Sequence, residues 1–284
     1  MNFIIFDLEW NSAEDKKNKR FVNEIIVIGA VMLDSRFCEI SSFSQVIKPS
    51  LSTKLNKYVK NLTHISEEEL STAPVFSQVI AEFSAWCKCK ESVFLTWSNA
   101  DLYALTDNYS TFLNKDRIEF ITRWCDLQKY SSRFIKRDNK NQISLSVAAE
   151  YFGIDTSNFE FHRALDDSRA CAEILRKTFD SRIFGAYVND ASKGDFYKRL
   201  MFRPYYITKL DSPFIDKEEL ELKCPACGVN TKRVGKIRTR FKVFNSMHVC
   251  ESCSKQYLLN VKFKKTFNDV IVTRSIRTVK VAEK

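Results

Sequence analysis

The amino-acid sequence predicts an α/β layer fold on a mixed sheet, followed by a small β-rich module that binds metal through cysteines. Three observations lead there. Short apolar runs of strand length open the chain and later alternate with segments of helical spacing, the order expected when helices cover a sheet. Two Cys-x-x-Cys pairs, Cys224/Cys227 and Cys250/Cys253, stand near the C-terminus. Charge is also divided: residues 222–284 carry 15 Lys and Arg against 3 acids, or +12, whereas residues 1–221 carry 30 against 32, or −2.

Residues 3–8 form a short apolar run suited to a buried strand, and residues 24–33 and 38–47 continue it as a meander. Residues 66–86 begin with Ser-Glu-Glu-Glu, a helix-capping signature, and then carry apolar residues at helical spacing. Residues 93–97 read as a fourth strand, which puts Asp101 at the start of the next helix. A fifth strand is expected at 120–124, with helices at 126–134, 144–152 and 164–179. Residues 181–220 hold Phe184, Tyr187, Phe196, Tyr197, Phe202, Tyr205, Tyr206 and Phe214, together with Pro204 and Pro213. Such a stretch reads as an ordered connector packed on one or both modules, although aromatics in a basic setting can also stack on bases. The expected boundaries are 1–180 for the α/β domain, 181–220 for the connector and 221–284 for the basic four-cysteine module.

A length of 284 residues allows one sizeable core and a smaller module. No apolar run reaches the roughly 18 residues of a membrane span, and residues 1–6 have neither a basic leader nor a cleavage site. A soluble, cytoplasmic protein is expected. Nine cysteines, an odd number, argue for a reducing compartment and for metal binding over a disulfide framework. The positive excess lies wholly in the C-terminal part and reads first as an anion-binding face, above all for nucleic acid; a solubilising surface is the plain alternative.

Four acids and a histidine carry the chemistry. Asp7 and Glu9 are two apart on the first predicted strand, so both point to one side near its C-terminal end, where open α/β sheets place ligands. Two acids there are usually just a solvated strand end. Here Phe3, Ile4, Ile5 and Phe6 make the strand central, where unpaired carboxylates are costly unless they coordinate something. Asp101 alone would be a helix cap, with Asp107 as its competitor, but its place after a hydrophobic strand favours it. His162 and Asp167 flank the entry to the last helix and can face one site. Two hard cations held by carboxylates roughly 3.5 to 4 Å apart can bind both the attacking and the leaving oxygen of a phosphodiester.

Together these residues resemble the DEDDh family of 3′-to-5′ exonucleases over roughly residues 1–180, with three motifs in order. Glu24-Ile-Ile-Val-Ile-Gly-Ala, Leu62-Thr63-His64-Ile65 and Ser144-Leu145 match further. The tyrosine subclass has Tyr four residues before the last Asp, where this chain has Arg163, so the histidine version is favoured. Phe-Asp-Leu-Glu-Trp is most similar to the KapD-like branch and its animal relatives that trim histone messages and small RNAs. The resemblance implies a ribonuclease H-like exonuclease fold with a mixed five-stranded sheet and two catalytic Mg²⁺ or Mn²⁺ ions. By the same likeness Asp7 bridges both ions, Glu9 and Asp167 hold the first, Asp101 supports the second, and His162 takes a proton from the attacking water. Trp10-Asn11 replaces a small Thr-rich pair and His64 stands where the family commonly has Gly. Both places line the terminal-nucleotide pocket in the family, and Ile65 and Asn99 are expected beside them.

The two Cys-x-x-Cys pairs enclose 22 residues, slightly more than the usual 15 to 20 of a zinc ribbon. Cys224, Cys227, Cys250 and Cys253 supply four thiolates for one structural tetrahedral Zn²⁺, with His248 available as a substitute. Cys87-Lys88-Cys89 has the wrong spacing and is expected at a helix end. Between the pairs, Lys236, Arg238, Arg240 and Lys242 alternate with Ile237, Thr239, Phe241 and Val243, which places four cations on one face of a strand, with Lys262 and Lys264 repeating the device. That pattern suits a face that tracks phosphates. The expected function is two-metal hydrolysis of single-stranded nucleic acid from the 3′ end, RNA slightly over DNA, releasing 5′-mononucleotides. The rival is a non-catalytic nucleic-acid-binding or scaffolding protein on the same fold.

Overall fold

The computed structural model describes residues 1–52, 54–88, 91–136, 142–157 and 159–279. They fall into two units, Met1–Met201 and Phe202–Lys284. Among the described residues no helix is long and apolar enough to cross a membrane.

In the first unit β1 (Asn2–Asp15) and β2 (Arg20–Leu33) make a long antiparallel hairpin, with β3 (Glu39–Val46) antiparallel to β2. Next come α1 (Lys57–Thr63), α2 (Glu67–Thr72) and α3 (Phe76–Trp86). The single helix expected over 66–86 is thus two. Pro74 has no amide hydrogen and holds Ala73 extended at ψ 155°, which stops α2 before α3 begins. Cys87 caps α3, buried as expected of a helix end, and Cys89 lies outside the described residues.

The chain continues through β4 (Ser92–Thr96), α4 (Asn99–Leu113), β5 (Arg123–Asp126), α5 (Leu127–Ser131), α6 (Leu145–Tyr151), α7 (Ala164–Thr178), α8 (Ser181–Phe184), β6 (Val188–Asp190) and α9 (Phe196–Met201). The sheet order is β3-β2-β1-β4-β5-β6, with β4 and β5 parallel to β1 and the others antiparallel to their neighbours. The fifth strand starts three residues later than predicted, because Ile118 and Ile121 go into the core ahead of it. A sixth strand, β6, joins the expected five; its three residues are too few for a periodicity to show.

β1 is central and its two faces belong to different cores. Ile4, Phe6 and Leu8 pack with Phe83, Leu102 and Leu105 of α3 and α4, whereas Phe3 and Ile5 pack with Cys171, Ile174 and Leu175 of α7. Asp7 and Glu9 continue the second face. The β1–β4 ladder covers only Asn2–Ile5 against Ser92–Leu95, so the strands part just before Asp7 and a crevice opens at their carboxyl ends.

Gly29 lies opposite Asp7 on β2. A Cβ there would stand 2.2 Å from the Leu165 nitrogen and 2.3 Å from the Ala164 carbonyl carbon, so the first turn of α7 rests on bare backbone. The Ser168 hydroxyl donates to the Gly29 carbonyl at 2.9 Å and locks the contact.

The second unit is a sheet ordered β11-β10-β9-β8, from β8 (Lys232–Arg240), β9 (Val243–Val249), β10 (Gln256–Lys265) and β11 (Val270–Val279), with β7 (Tyr205–Tyr206) beside the end of β10. One face buries Phe244, Tyr257, Leu259, Val261 and Phe263. The stretch 181–220 is shared: Phe184, Ala191 and Tyr197 enter cores of the first unit, and Ile207, Ile215 and Leu220 enter the core of the second.

Gly29→Ala is expected to destabilise the first unit by about 1–3 kcal/mol, because only backbone atoms can give way. Urea denaturation checks this. A loss under about 0.5 kcal/mol would mean that α7 does not sit on the glycine as described.

Candidate active site

Asp7, Glu9 and Asp167 each present a carboxylate oxygen within 4.8 Å of the others. They line a cleft of about 420 Å³ with Asp101, His162, Trp10, Trp97 and residues of α1. Asp167 reaches it from the first turn of α7. Its Oδ2 accepts from the His162 amide at 3.1 Å, while Oδ1 is, among the described residues, the buried side-chain oxygen without a hydrogen-bond partner. A buried carboxylate oxygen left unpaired is costly, and a bound cation would satisfy it. The donor set, all oxygen, fits a hard divalent ion.

Asp101 sits apart from this group of three. It lies in the first turn of α4, capped by Ser98, and its Oδ1 accepts from the Leu8 amide at 3.2 Å, between Asp7 and Glu9. His162 is exposed, with a left-handed backbone at φ 70°, a conformation that costs a non-glycine residue about 1–2 kcal/mol. It lines both this cleft and a neighbouring one of about 330 Å³. Asp166 turns away to the Glu160 amide and to Arg169.

Burial is the largest influence on all four carboxyls. It raises Asp7 well above the usual carboxylate range, helped by the charges of Asp101, Asp167 and Glu9. Burial and then Asp167 push Glu9 up to about 8. Asp101 rises to about 7 against the opposing hydrogen bond from Leu8, and Asp167 to about 7 against that from His162. Burial and mutual repulsion thus favour the protonated forms as long as no cation is bound.

The residues expected to touch substrate divide. Trp10 lines the cleft, and Ile65 lines the neighbouring one beside Glu9 and His162. Asn11 does not present its amide there: it is buried, donates to the Lys54 carbonyl at 3.1 Å and accepts from the Asn56 amide at 2.9 Å. It braces the loop before α1. His64 is exposed and lines neither cleft; it is the C-cap of α1 at φ 56°, a left-handed position that suits glycine. Asn99 is exposed at the start of α4, and its neighbour Ser98 faces the cleft instead. Sequence reasoning missed α1, whose Tyr58, Val59, Leu62 and Thr63 form a cleft wall. The available signal was Asn56, whose side chain accepts from the Tyr58 amide at 3.0 Å as an N-cap.

In the second unit the four cysteine sulfurs lie within 4.8 Å of one another, with Cys224–Cys253 at 3.6 Å and Cys227–Cys250 at 3.4 Å. Four thiolates about 2.3 Å from a zinc ion stand about 3.8 Å apart, so the set fits. Each pair makes the same turn: Gly228 donates to the Cys224 carbonyl at 2.9 Å and Ser254 to the Cys250 carbonyl at 2.8 Å. The Tyr257 hydroxyl beside its sulfur brings the Cys224 thiol down to about 6, which favours the thiolate. His248 is fully buried between the hydroxyls of Thr231 and Ser246, so both ring nitrogens are used and it is no substitute ligand.

The basic strand is shorter than its alternation suggests. β8 ends at Arg240, and Phe241 and Lys242 form a two-residue turn with φ 48° and 64°. Lys242 therefore stands in the turn and not on the strand face. Gly235, at φ 77°, introduces an irregularity between Val234 and Arg238, next to Lys236.

Protein freed of magnesium and manganese, with zinc retained, is expected to lose stability as pH rises. Folded Glu9, Asp101 and Asp167 titrate at about 8, 7 and 7. In an unfolded chain such groups titrate at about 4, so their contribution is complete below about pH 4 and disappears as pH climbs to about 8. Added divalent metal displaces the protons and flattens the dependence. Unfolding midpoints at about pH 5.5 and about pH 8 check this, and equal metal-free midpoints contradict it.

Comparison with known proteins follows the same lines. A family model described as exonuclease, RNase T, matches residues 4–175. Human 3′-5′ exoribonuclease 1 is 30% identical over 181 residues, which cover 60% of this chain and 50% of that protein. The probable 3′-5′ exonuclease KapD of Bacillus subtilis is 26% identical over 177 residues, covering 62% and 83%. The chain spans about half the length of the exoribonuclease. The nuclease domain of 3′hExo, a DEDDh family member solved with rAMP, superposes with a TM-score of 0.54 at 24% identity over 67% of this chain and 96% of that one, a likeness of fold. The matched segment holds all four carboxylates and His162, and the chain belongs to the RNase T exonuclease family.

Proposed function

We propose that this chain is a metal-dependent 3′-5′ exonuclease that hydrolyses single-stranded nucleic acid, RNA slightly in preference to DNA, to 5′-mononucleotides. The observation that carries this reading is the gathering of Asp7, Glu9 and Asp167 around an unsatisfied carboxylate oxygen, with Asp101 and His162 on the same cleft. A scaffolding protein would have no use for four carboxyls crowded on one cleft. The names of the relatives, exoribonucleases among them, and the rAMP in a neighbour of the same fold support RNA.

Asp7, Glu9 and Asp167 would hold two Mg²⁺ or Mn²⁺ ions, with Asp101 assisting the second. When bound, the ions stabilise charge on the attacking and leaving oxygens. His162, at the cleft mouth, accepts the proton of the attacking water. Trp10, Tyr58, Leu62 and Trp97 wall the terminal nucleotide and limit water. The four cysteines hold one structural Zn²⁺, a thiolate site that suits a reducing cytoplasm. Lys236, Arg238 and Arg240 on the strand, with Lys242 in the adjoining turn, grip the phosphates of the nucleic acid.

Asp7→Ala is expected to abolish release of label from matched 3′- and 5′-labelled RNA and DNA while circular dichroism stays unchanged. His162→Ala should slow release by roughly two to four orders of magnitude with metal binding intact. Wild-type rates in either variant would remove that residue from the mechanism. Elemental analysis should find one zinc per chain, and its removal by chelation should unfold the second unit; a folded, zinc-free unit would refute the assignment.

A further inference from the structure

The turn that ends β8 breaks a local rule. Two-residue hairpin turns with both residues left-handed take Asn, Asp or Gly, yet here they are Phe241 and Lys242. Phe241 gains no burial in return, since it is 83% exposed. A bulky aromatic held in a strained, solvent-facing position marks a functional element.

Its surroundings say what for. β10 buries its odd-numbered side chains, so Asn260, Lys262 and Lys264 face the other way, opposite Ser275, Thr273 and Ile271 of β11. Tyr206 pairs with Lys264 and thus shares that face, 39% exposed. The ammonium groups of Lys242 and Lys264 lie 5.6 and 6.0 Å from the centre of its ring. Beside them lies an open concavity of about 1310 Å³ lined by Phe241 and by five cations, Lys236, Arg238, Arg240, Lys262 and Arg277, and, among the described residues, by no acid. Among the described residues the ion pairs of this unit involve other cations: Lys232, Arg233 and Arg274. Across its middle runs a polar row, Arg238, Asn245, Asn260 and Ser275, set by the strand register.

We propose that this face binds a single strand of nucleic acid with bases stacked on Phe241 and Tyr206 and phosphates on Arg238, Arg240 and Lys262, while the Asn245 amide, donating to the Val243 carbonyl at 2.9 Å, and the Asn260 amide, donating to the Ser275 hydroxyl at 3.4 Å, brace the sheet beneath. The proposal rests on the reading of the second unit as the grip on substrate and adds a base-stacking platform to it. An acidic protein would engage the cations alike, but unstacked bases also use two exposed rings, Tyr206 flanked by the Lys242 and Lys264 ammonium groups and Phe241 by the Arg240 guanidinium 5.2 Å from its centre.

The full chain, zinc-loaded and free of magnesium and manganese, is titrated against a labelled oligouridylate of about twelve nucleotides, followed by anisotropy. Phe241→Asn is the informative variant because Asn suits the left-handed turn. It should bind about tenfold more weakly with an unchanged salt slope, while the melting temperature of the second unit does not fall. Tyr206→Ala should weaken binding similarly, and Tyr206→Phe should restore it. A fully abasic strand of equal length should bind wild type more weakly than the natural strand binds Phe241→Asn, because it loses the stacking on both rings. Arg238→Gln should lower the log–log salt slope by about 0.7. Wild-type affinity in both aromatic variants, or equal binding of the abasic strand, overturns the platform. Binding of polyglutamate that depends on Arg238 while oligonucleotide binding does not would assign the face to an acidic protein and overturn it as well. Hydrolysis after metal is added reports on the carboxylate cleft by itself: its absence with these binding differences intact would sink the exonuclease reading alone.

Discussion

The carboxylate cleft depends on a place where two pieces of backbone touch with no side chain between them. The N-terminal turn of α7 rests on Gly29, and Gly29 is the partner of Asp7 across the hairpin. Asp167 sits in that turn, so the glycine sets the separation between acids that are far apart in sequence. A methyl group would lift α7 and pull Asp167 away from Asp7 and Glu9. Four carboxyls crowded on one cleft, Asp101 and Asp167 buried and Asp7 and Glu9 half-buried, are unfavourable to bring together. The cleft is thus held against its own electrostatics.

Much of this was legible in order along the chain. Asp7 and Glu9 share a face because strands repeat every two residues, and His162 and Asp167 straddle a helix start. The cysteine pairs announce themselves by spacing, and their sulfurs do converge. What failed to show has physical reasons. α1 is seven residues long, too short for a clear apolar stripe, so the wall it forms was invisible. Asn11 lay next to the acids and read as a substrate contact, but its amide is consumed by the loop at Lys54 and Asn56, a long-range contact that no local pattern encodes. The alternation of cations was counted through Phe241 and Lys242 because that turn lacks the glycine or asparagine that would have announced it.

The two units use charge in opposite ways. The first gathers carboxyls on one cleft, where protons or a bound cation relieve their repulsion. The second spreads cations over an open sheet face whose reverse side is a compact apolar core. One arrangement holds its repulsion in a cleft until protons or a ligand relieve it, and the other carries the mutual repulsion of its cations on an open face where solvent screens it.

The bracing role of Asn11 gives the cleft walls unequal stiffness. On one side α7 is fastened along its length by Ala170, Cys171, Ile174 and Leu175 in the core. On the other, α1 buries only Thr63 and hangs from a loop that Asn11 and the Glu24 carboxylate hold at both ends. An element with so few buried contacts opens at small energetic expense. The acids thus stand on β1, α4 and α7, elements packed into the cores, and α1 carries none of them.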